Sequence, residues 1–322
     1  DRLDAPYKDF PGSWPGIYFS RSSKDNLMQF CNIKNAYQGV ILQNPASNSN
    51  PKLTLQETIL DNISDIAVGC SNSSLDARNC LIINCGYNIF LTAGGNYNFN
   101  HCTVTSYGNN YVQHKNPVLS ISNVSGSNTT NIINCTIKNS IFYGEGGIVD
   151  DEIIISKQGT TAFNASFENV LYKMKSNDPG AATFVGNKLK NINPGFDSVD
   201  VGSRYFNYRL KSNSAAINKG AITTGLLFDL DGNNRNIGLP DLGCYEKQWY
   251  NSLNRIELLT WIIVNYKKIH MKNLITVALL IMSTAFIQPN SNSIHAFKVK
   301  GIDGKEIDFS KFKGKKILVV NT

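Results

Sequence analysis

Three groups of side chains in this 322-residue sequence have types and spacings that chemistry can use. The first is Glu145 with the run Asp150-Asp151-Glu152. Carboxylates that flank a glycosidic bond act as acid and base when their environments hold their pKa values apart. No Gly-His-Gly motif accompanies them, and no calcium-binding acidic cluster with a basic partner stands out, so a solvated acidic turn is the favoured reading. The second group is His101 and His114, with Tyr107 and Tyr111 between them. Imidazole suits proton transfer near neutrality. His101 directly precedes Cys102 in a repeated motif and is expected to point outward, which leaves His114 as the freer candidate. The third is Asp229, Asp231 and Asn233, whose alternating oxygen side chains resemble part of a Ca²⁺ loop. The usual downstream acidic ligand is missing and Arg235 stands close by, so a rigid turn with an Asp–Arg pair is favoured over a bound calcium ion. No other cofactor is expected.

The elements that must position these residues are visible as repeats. A small residue, a bulky apolar residue two positions on and an Asn or Ser two further recur at Cys31-Asn32-Ile33-Lys34-Asn35, Thr58-Ile59-Leu60-Asp61-Asn62, Cys80-Leu81-Ile82-Ile83-Asn84 and Cys102-Thr103-Val104-Thr105-Ser106. Cys135-Thr136-Ile137-Lys138-Asn139 and Ala165-Ser166-Phe167-Glu168-Asn169 continue the series. Residues two apart share one face of a strand. Recurrence at steps of about 22 residues and longer is what a solenoid with loop insertions produces. The motif therefore predicts Cys31, Thr58, Cys80, Cys102 and Cys135 in one interior column, with Asn closing each repeat where the backbone turns. Short apolar runs form a second series, the first two entered through Gly, at Ile17-Tyr18-Phe19, Val40-Ile41-Leu42, Ile66-Ala67-Val68, Ile89-Phe90-Leu91 and Val118-Leu119-Ser120-Ile121. Two long steps mark insertions, at about 107–131 and 143–164, and insertions on a solenoid often make its binding surface.

Charge is distributed unevenly. The net charge is +7, and the residues after Asn251, with 11 basic and 4 acidic side chains, carry all of it. The body is neutral, which removes the electrostatic case for nucleic acid. All seven Cys lie at or before Cys244, and Thr and Ala stand in for Cys within the repeat, so packing rather than disulfide or metal is expected. No Cys-x-x-Cys pair suggests zinc.

Trp14-Pro15-Gly16-Ile17, the Cys/Asn repeats and the ending Asp229-Leu230-Asp231-Gly232-Asn233…Arg235…Pro240-Asp241-Leu242-Gly243-Cys244-Tyr245-Glu246 resemble bacterial right-handed parallel β-helix proteins of the choice-of-anchor Q type, over about residues 11–248. Cys244 departs from the Ala usual in that ending. The resemblance implies an all-β, right-handed solenoid, exported to the cell surface or secreted, often associated with glycans, with no uniform activity and no catalytic residues to carry over. A monomer binding a polysaccharide or cell-surface glycan is the leading expectation. A polysaccharide lyase or glycoside hydrolase using the 107–164 insertions is the alternative, with Asp150, Asp151, Glu152 and His114 as its candidate residues.

The chain changes character after Glu246. Met271-Lys272-Asn273 and the apolar run Leu274–Ile287 read as an export signal, too short for a comfortable membrane span. Residues 297–322, with an Asp303-Gly304 turn and the ending Val319-Val320-Asn321-Thr322, look like the thioredoxin-like start of a glutathione peroxidase. Its nucleophile would follow Thr322, so this chain is expected to lack peroxidase activity. Asp1-Arg2-Leu3 shows no initiator Met or signal. The expected organisation is therefore solenoid repeats to 175 with an incomplete N-terminus, a C-terminal module over 176–248, a linker or read-through over 249–270, the signal-like segment 271–293 of a separate downstream protein, and a truncated peroxidase-like start over 294–322.

Overall fold

A computed structural model describes residues 9–126, 129–235, 237–248, 298–300 and 306–312. The chain divides into two units, one reaching Lys247 and one containing the described residues 298–300 and 306–312. Nearly all regular structure is β. In chain order the strands of the first unit begin with β1 (Ile17–Phe19), β2 (Asn26–Gln29), β3 (Asn32–Lys34), β4 (Val40–Gln43), β5 (Leu53–Gln56), β6 (Ile59–Asp61) and β7 (Ile66–Arg78). They continue with β8 (Leu81–Ile83), β9 (Tyr87–Asn100), β10 (Thr103–Ser106), β11 (Leu119–Ser122), β12 (Ile133–Gly144), β13 (Ile153–Ser156), β14 (Phe163–Tyr172), β15 (Ala182–Lys190), β16 (Phe196–Asp200) and β17 (Tyr205–Leu210).

The first fifteen form one parallel sheet that resolves into three ladders. In the first, β1, β4, the start of β7, the start of β9, β11 and β13 pair in turn. In the second, β2, β5, the end of β7, the end of β9, the start of β12, the start of β14 and β15 follow one another. The third takes β3, β6, β8, β10 and the later halves of β12, β14 and β15. Neighbouring rungs in such a ladder lie about 4.8 Å apart. The sheet curls so that the inward rows of all three ladders meet in a single core. Val40, Val68, Ile89 and Leu119 come from the first, Leu55, Ala77, Phe99, Ile137 and Phe167 from the second, and Ile33, Leu60, Ile82, Val104 and Phe142 from the third. Alternation of inward apolar and outward polar residues along each short strand is the sequence property that produces this. The parallel sheet runs on through β15 to Lys190, past residue 175 where the repeats were expected to stop.

The repeated Asn residues turn the chain between ladders. Asn35, Asn62 and Asn84 close the short strands of the third ladder with φ of 62°, 58° and 51°. A second left-handed corner, where the chain passes from the second ladder into the third, holds Phe30, Glu57, Asn79, His101, Asn139 and Asn169. Asn tolerates this region better than other side chains that carry a Cβ.

One expectation is corrected here. Cys31, Thr58, Cys80 and Cys102 share a column, but the next residue in it is Ser140, not Cys135: Thr103 pairs with Ile141, and Cys102 N donates to Ser140 Oγ at 3.0 Å. Cys135 stacks on Tyr97 in the second ladder, with Ala165 on its other side. Both ladders end their strands at a left-handed Asn, so the same five-residue motif arises at two places in the repeat. The column itself has a chemical logic. Each member donates to the carbonyl two residues back, across the corner: Cys31 to Gln29 at 3.4 Å, Thr58 to Gln56 at 2.8 Å, Cys80 to Arg78 at 3.2 Å, Cys102 to Asn100 at 3.6 Å and Ser140 to Lys138 at 2.6 Å. A small side chain with an S–H or O–H adds a second hydrogen bond to carbonyls that already accept a backbone N–H from the neighbouring rung, as Arg78 O does from Glu57 N at 2.9 Å.

The outer face of the third ladder is also buried. Leu81, Ile83, Ile141, Tyr143 and Leu171 form a second apolar cluster with Phe196, Tyr208, Leu210, Leu242, Cys244 and Tyr245 of the C-terminal module. The antiparallel pair β16–β17 opens that module, and the described residues from Ser214 to Glu246 form no strand or helix. Corner residues carry the polar part of this interface. Asn84 Nδ2 donates to Tyr208 Oη at 3.1 Å, Asn139 exchanges hydrogen bonds with the Ala221 backbone at 2.8 and 2.9 Å, and Cys244 N donates to Thr103 Oγ1 at 3.0 Å.

In the second unit β18 (Lys298–Lys300) pairs antiparallel with β19 (Glu306–Asp308), and a 3₁₀ turn follows over Phe309–Phe312. The Asp303-Gly304 turn expected between them lies outside the described residues. Residues 249–270 and the signal-like segment 271–293 lie outside the described residues. Among the described residues no helix is long and apolar enough to cross a membrane.

Candidate functional site

The acidic run and the histidines do not assemble as an open catalytic pair. Asp150 is exposed and pairs with Lys175 at 3.0 Å, while Asp151 Oδ1 accepts the Ser176 N–H at 2.9 Å. Glu152 departs from the solvated-turn expectation: it is fully buried, and its Oε2 lies 3.1 Å from His114 Nε2. His114 is buried with it, and its Nδ1 lies 3.3 Å from the Glu145 carbonyl. Both ring nitrogens are engaged, so His114 is not the free imidazole that its sequence position suggested. Gly144 makes room for the pair, since a Cβ there would stand 2.2 Å from Glu152 Oε1 and 2.3 Å from His114 Cε1. Glu152 also receives the Val118 N–H at 3.3 Å, and its backbone N–H donates to Lys173 at 3.0 Å. The pair thus staples the first part of the 107–131 insertion to the ends of β12 and β14 and the start of β13. Glu145 accepts the Tyr143 hydroxyl, and burial followed by that carboxylate pushes the Tyr143 pKa up.

His101 is likewise buried rather than outward. It occupies a left-handed corner, where its Nε2 lies 3.1 Å from Asn139 Nδ2. Burial, reinforced by Arg235, holds its pKa well below the usual imidazole value, which keeps the ring neutral. The corner is interior because the C-terminal module lies over it, and no repeat position reveals that.

The Asp229 loop is a turn in its geometry. Asp229 Oδ1 accepts the N–H groups of Asp231 and Asn233 at 2.9 and 2.7 Å, and Oδ2 accepts Asn233 Nδ2 and the Glu246 N–H at 3.1 and 2.6 Å. Asp231 is held by Arg209 through two nitrogens at 2.5 and 2.6 Å. These carboxylate oxygens face N–H donors, and no group of three metal-ligating side chains occurs among the described residues. Arg235 lies beneath the loop, 1% exposed. It donates to Glu246 Oε2 at 2.9 Å, to Asn79 Oδ1 at 2.9 Å and to the Gly243 carbonyl at 3.0 Å. Burial and the neighbouring Asp241 outweigh the guanidinium and raise the Glu246 pKa to about 7.

The polar array that does reach solvent stands on the outer face of the second ladder. Asn96, Asn134 and Asn164 occupy one outward row, all exposed; Asn164 Nδ2 donates to Asn134 Oδ1 and Asn134 Nδ2 to Asn96 Oδ1, each at 2.8 Å. The next outward row reads Thr54, Asp76, Asn98, Thr136, Ser166 and Thr183. Beside the amide row lies an open groove of about 420 Å³, lined by Asn72, Gly95, Asn96, Thr130, Asn131, Ile132, Asn134 and Thr161. The sequence held a signal for it: Asn precedes the small residue in both Asn134-Cys135 and Asn164-Ala165. With Cys135 assigned to the wrong column, that Asn had no neighbour to pair with.

The first unit is thus an all-β body built on one large parallel sheet, and no family model matches the chain. One stretch of 48 residues, 15% of the chain, is 44% identical to "Probable glutathione peroxidase 8" of Mus musculus and equally to the protein of that name from Homo sapiens. The chain spans 23% of the length of these curated relatives.

Proposed function

We propose that the first unit is a right-handed parallel β-helix of the choice-of-anchor Q type, exported to the cell surface or secreted, and that it binds an extended glycan along the outer face of the second ladder. The observation that carries this reading is the exposed Asn96–Asn134–Asn164 row. Asn164 spends one N–H on the row, Asn96 one carbonyl lone pair and Asn134 one of each, and each keeps others for a ligand, so donors and acceptors repeat at the rung spacing of about 4.8 Å. Because the ladder already holds these rotamers, binding costs less side-chain entropy than it would on a mobile surface. Sugar hydroxyls need both donor and acceptor, and Ile132 beside the row offers an apolar contact to a ring face. The His114–Glu152 pair is a structural staple in this reading. The C-terminal segment carries the opening of a glutathione-peroxidase-like domain, a reading supported by the 48-residue likeness and the β18–β19 hairpin.

The test is a panel of soluble polysaccharides, scored for retardation of the protein in affinity gels and for release of reducing ends. Retardation without release is the expected result, and Asn96→Ala weakens it. Release of sugar by the wild-type protein, or retardation by no polymer, defeats the proposal.

A further inference from the structure

The outer face of the second ladder carries opposite charges that are already matched to one another. Arg78 Nη2 meets Asp76 Oδ2 at 2.5 Å, and Lys138 Nζ meets Glu168 Oε2 at 2.8 Å across adjacent rungs. The second oxygen of Asp76 accepts Asn98 Nδ2 at 2.7 Å. Lys52 begins the amide row one rung beyond Ser74, yet it is fully buried and donates its ammonium to the carbonyls of Ser20, Arg21 and Gln43 at 2.8, 3.2 and 2.8 Å. On these outward rows, among the described residues, every cation therefore has a partner within the protein. A polymer of uronates or sulfates needs unpaired Lys or Arg to offset the desolvation of its anions. An uncharged polymer needs only the amides and hydroxyls that line the rows.

We infer that the ligand of this face is a neutral, hydroxyl-rich polysaccharide and that anionic polysaccharides are excluded; this rests on the glycan-binding reading above. The absence of charge on the ligand makes binding insensitive to ionic strength, because no ion pairs across the interface are there to be screened.

Affinity gels of the full chain decide it, with mixed-linkage β-glucan, xyloglucan and galactomannan as neutral probes and polygalacturonate and alginate as anionic ones, each at low and high salt. The expected result is retardation by at least one neutral polymer, unchanged by salt, with the anionic polymers inert. Asn134→Ala weakens that retardation by about fivefold, the equivalent of one lost hydrogen bond. Thr136→Lys, which adds an unpaired cation at the centre of the face, reduces neutral binding and creates salt-sensitive retardation by polygalacturonate. Both positions are outward, and unchanged thermal unfolding of the variants confirms their fold. Retardation of the wild type by anionic polymers alone overturns neutrality while leaving glycan binding intact. Retardation by no polymer overturns both, and neutral binding indifferent to both substitutions removes the ligand from this face.

Discussion

Arg235→Met is the substitution that most directly tests how the C-terminal module is held on the sheet. The guanidinium is buried and makes three hydrogen bonds within 3.0 Å, to Glu246, Asn79 and Gly243. Removing one partner of a buried ion pair costs about 3–5 kcal/mol, because the other must stay charged without compensation or take up a proton, and here Asn79 and Gly243 lose their donor as well. We therefore expect Arg235→Met to lose about 4 kcal/mol in urea unfolding followed by circular dichroism. Adding Glu246→Gln removes the stranded carboxylate, and the double variant should recover about 2 kcal/mol relative to additivity. The wild-type pH profile gives an independent check. Glu246 titrates near 7 in the folded chain against an ordinary 4.5, so the folded state binds the extra proton between those values. Stability is then greatest below about pH 4.5, falls as pH rises toward 7 and is flat above it, with a drop from this group of at most about 3 kcal/mol and about half that after solvent screening. Asp241 stands beside it, and burial raises its pKa too. Glu246→Gln should flatten this part of the profile. A loss under about 1 kcal/mol for Arg235→Met, or an unchanged profile for Glu246→Gln, would refute the reasoning.

The remaining expectations concern the core and the staples. Ile82→Asp places a carboxylate where no atom reaches solvent and should cost about 4 kcal/mol or more, whereas the outward Thr54→Asp should stay within about 1 kcal/mol; thermal melts compare them. At Cys80 the corner hydrogen bond predicts an order that hydrophobicity does not: Cys80→Ser should be milder than Cys80→Val, by about 1 kcal/mol in the same melts, and the reverse order discounts the bond. All seven thiols are free and buried, and burial pushes that of Cys135 up to about 12. A thiol reagent such as dithionitrobenzoate should therefore label none in the folded protein and all in urea. His114→Ala should cost about 3 kcal/mol by leaving the buried Glu152 with only the Val118 N–H as partner, which chemical denaturation measures directly.

What could be read from the sequence was what the backbone repeats locally. The apolar rows through Val40, Val68 and Ile89 follow from alternation, and the left-handed Asn35, Asn62 and Asn84 follow from the preference of Asn for that corner. The burial of the cysteines was also legible, because Thr58 stands in their column. Assignment of Cys135 was not, since the same motif serves two ladders and only long-range register tells them apart. The His114–Glu152 contact joins residues 38 apart in two insertions by no fixed spacing, and the cover over His101 comes from a module with no repeat. Periodicity speaks for neighbouring rungs and is silent about segments that return from elsewhere.

That return of the C-terminal module sets an order on folding. Bonds between successive rungs close modest loops, 27 residues from Cys31 to Thr58 and 38 from Cys102 to Ser140, so rungs can add one after another. The contacts from Thr103 to Cys244 and from Asn79 to Arg235 span 141 and 156 residues and must form late. Until they do, the row of Leu81, Ile141 and Leu171 on the third ladder has no cover, and the growing sheet presents a flat apolar surface to any other chain in the same state. Refolding yield should therefore fall with protein concentration even where the sheet itself forms quickly. Supplying residues 191–248 as a separate peptide during refolding should raise that yield by covering the row in trans.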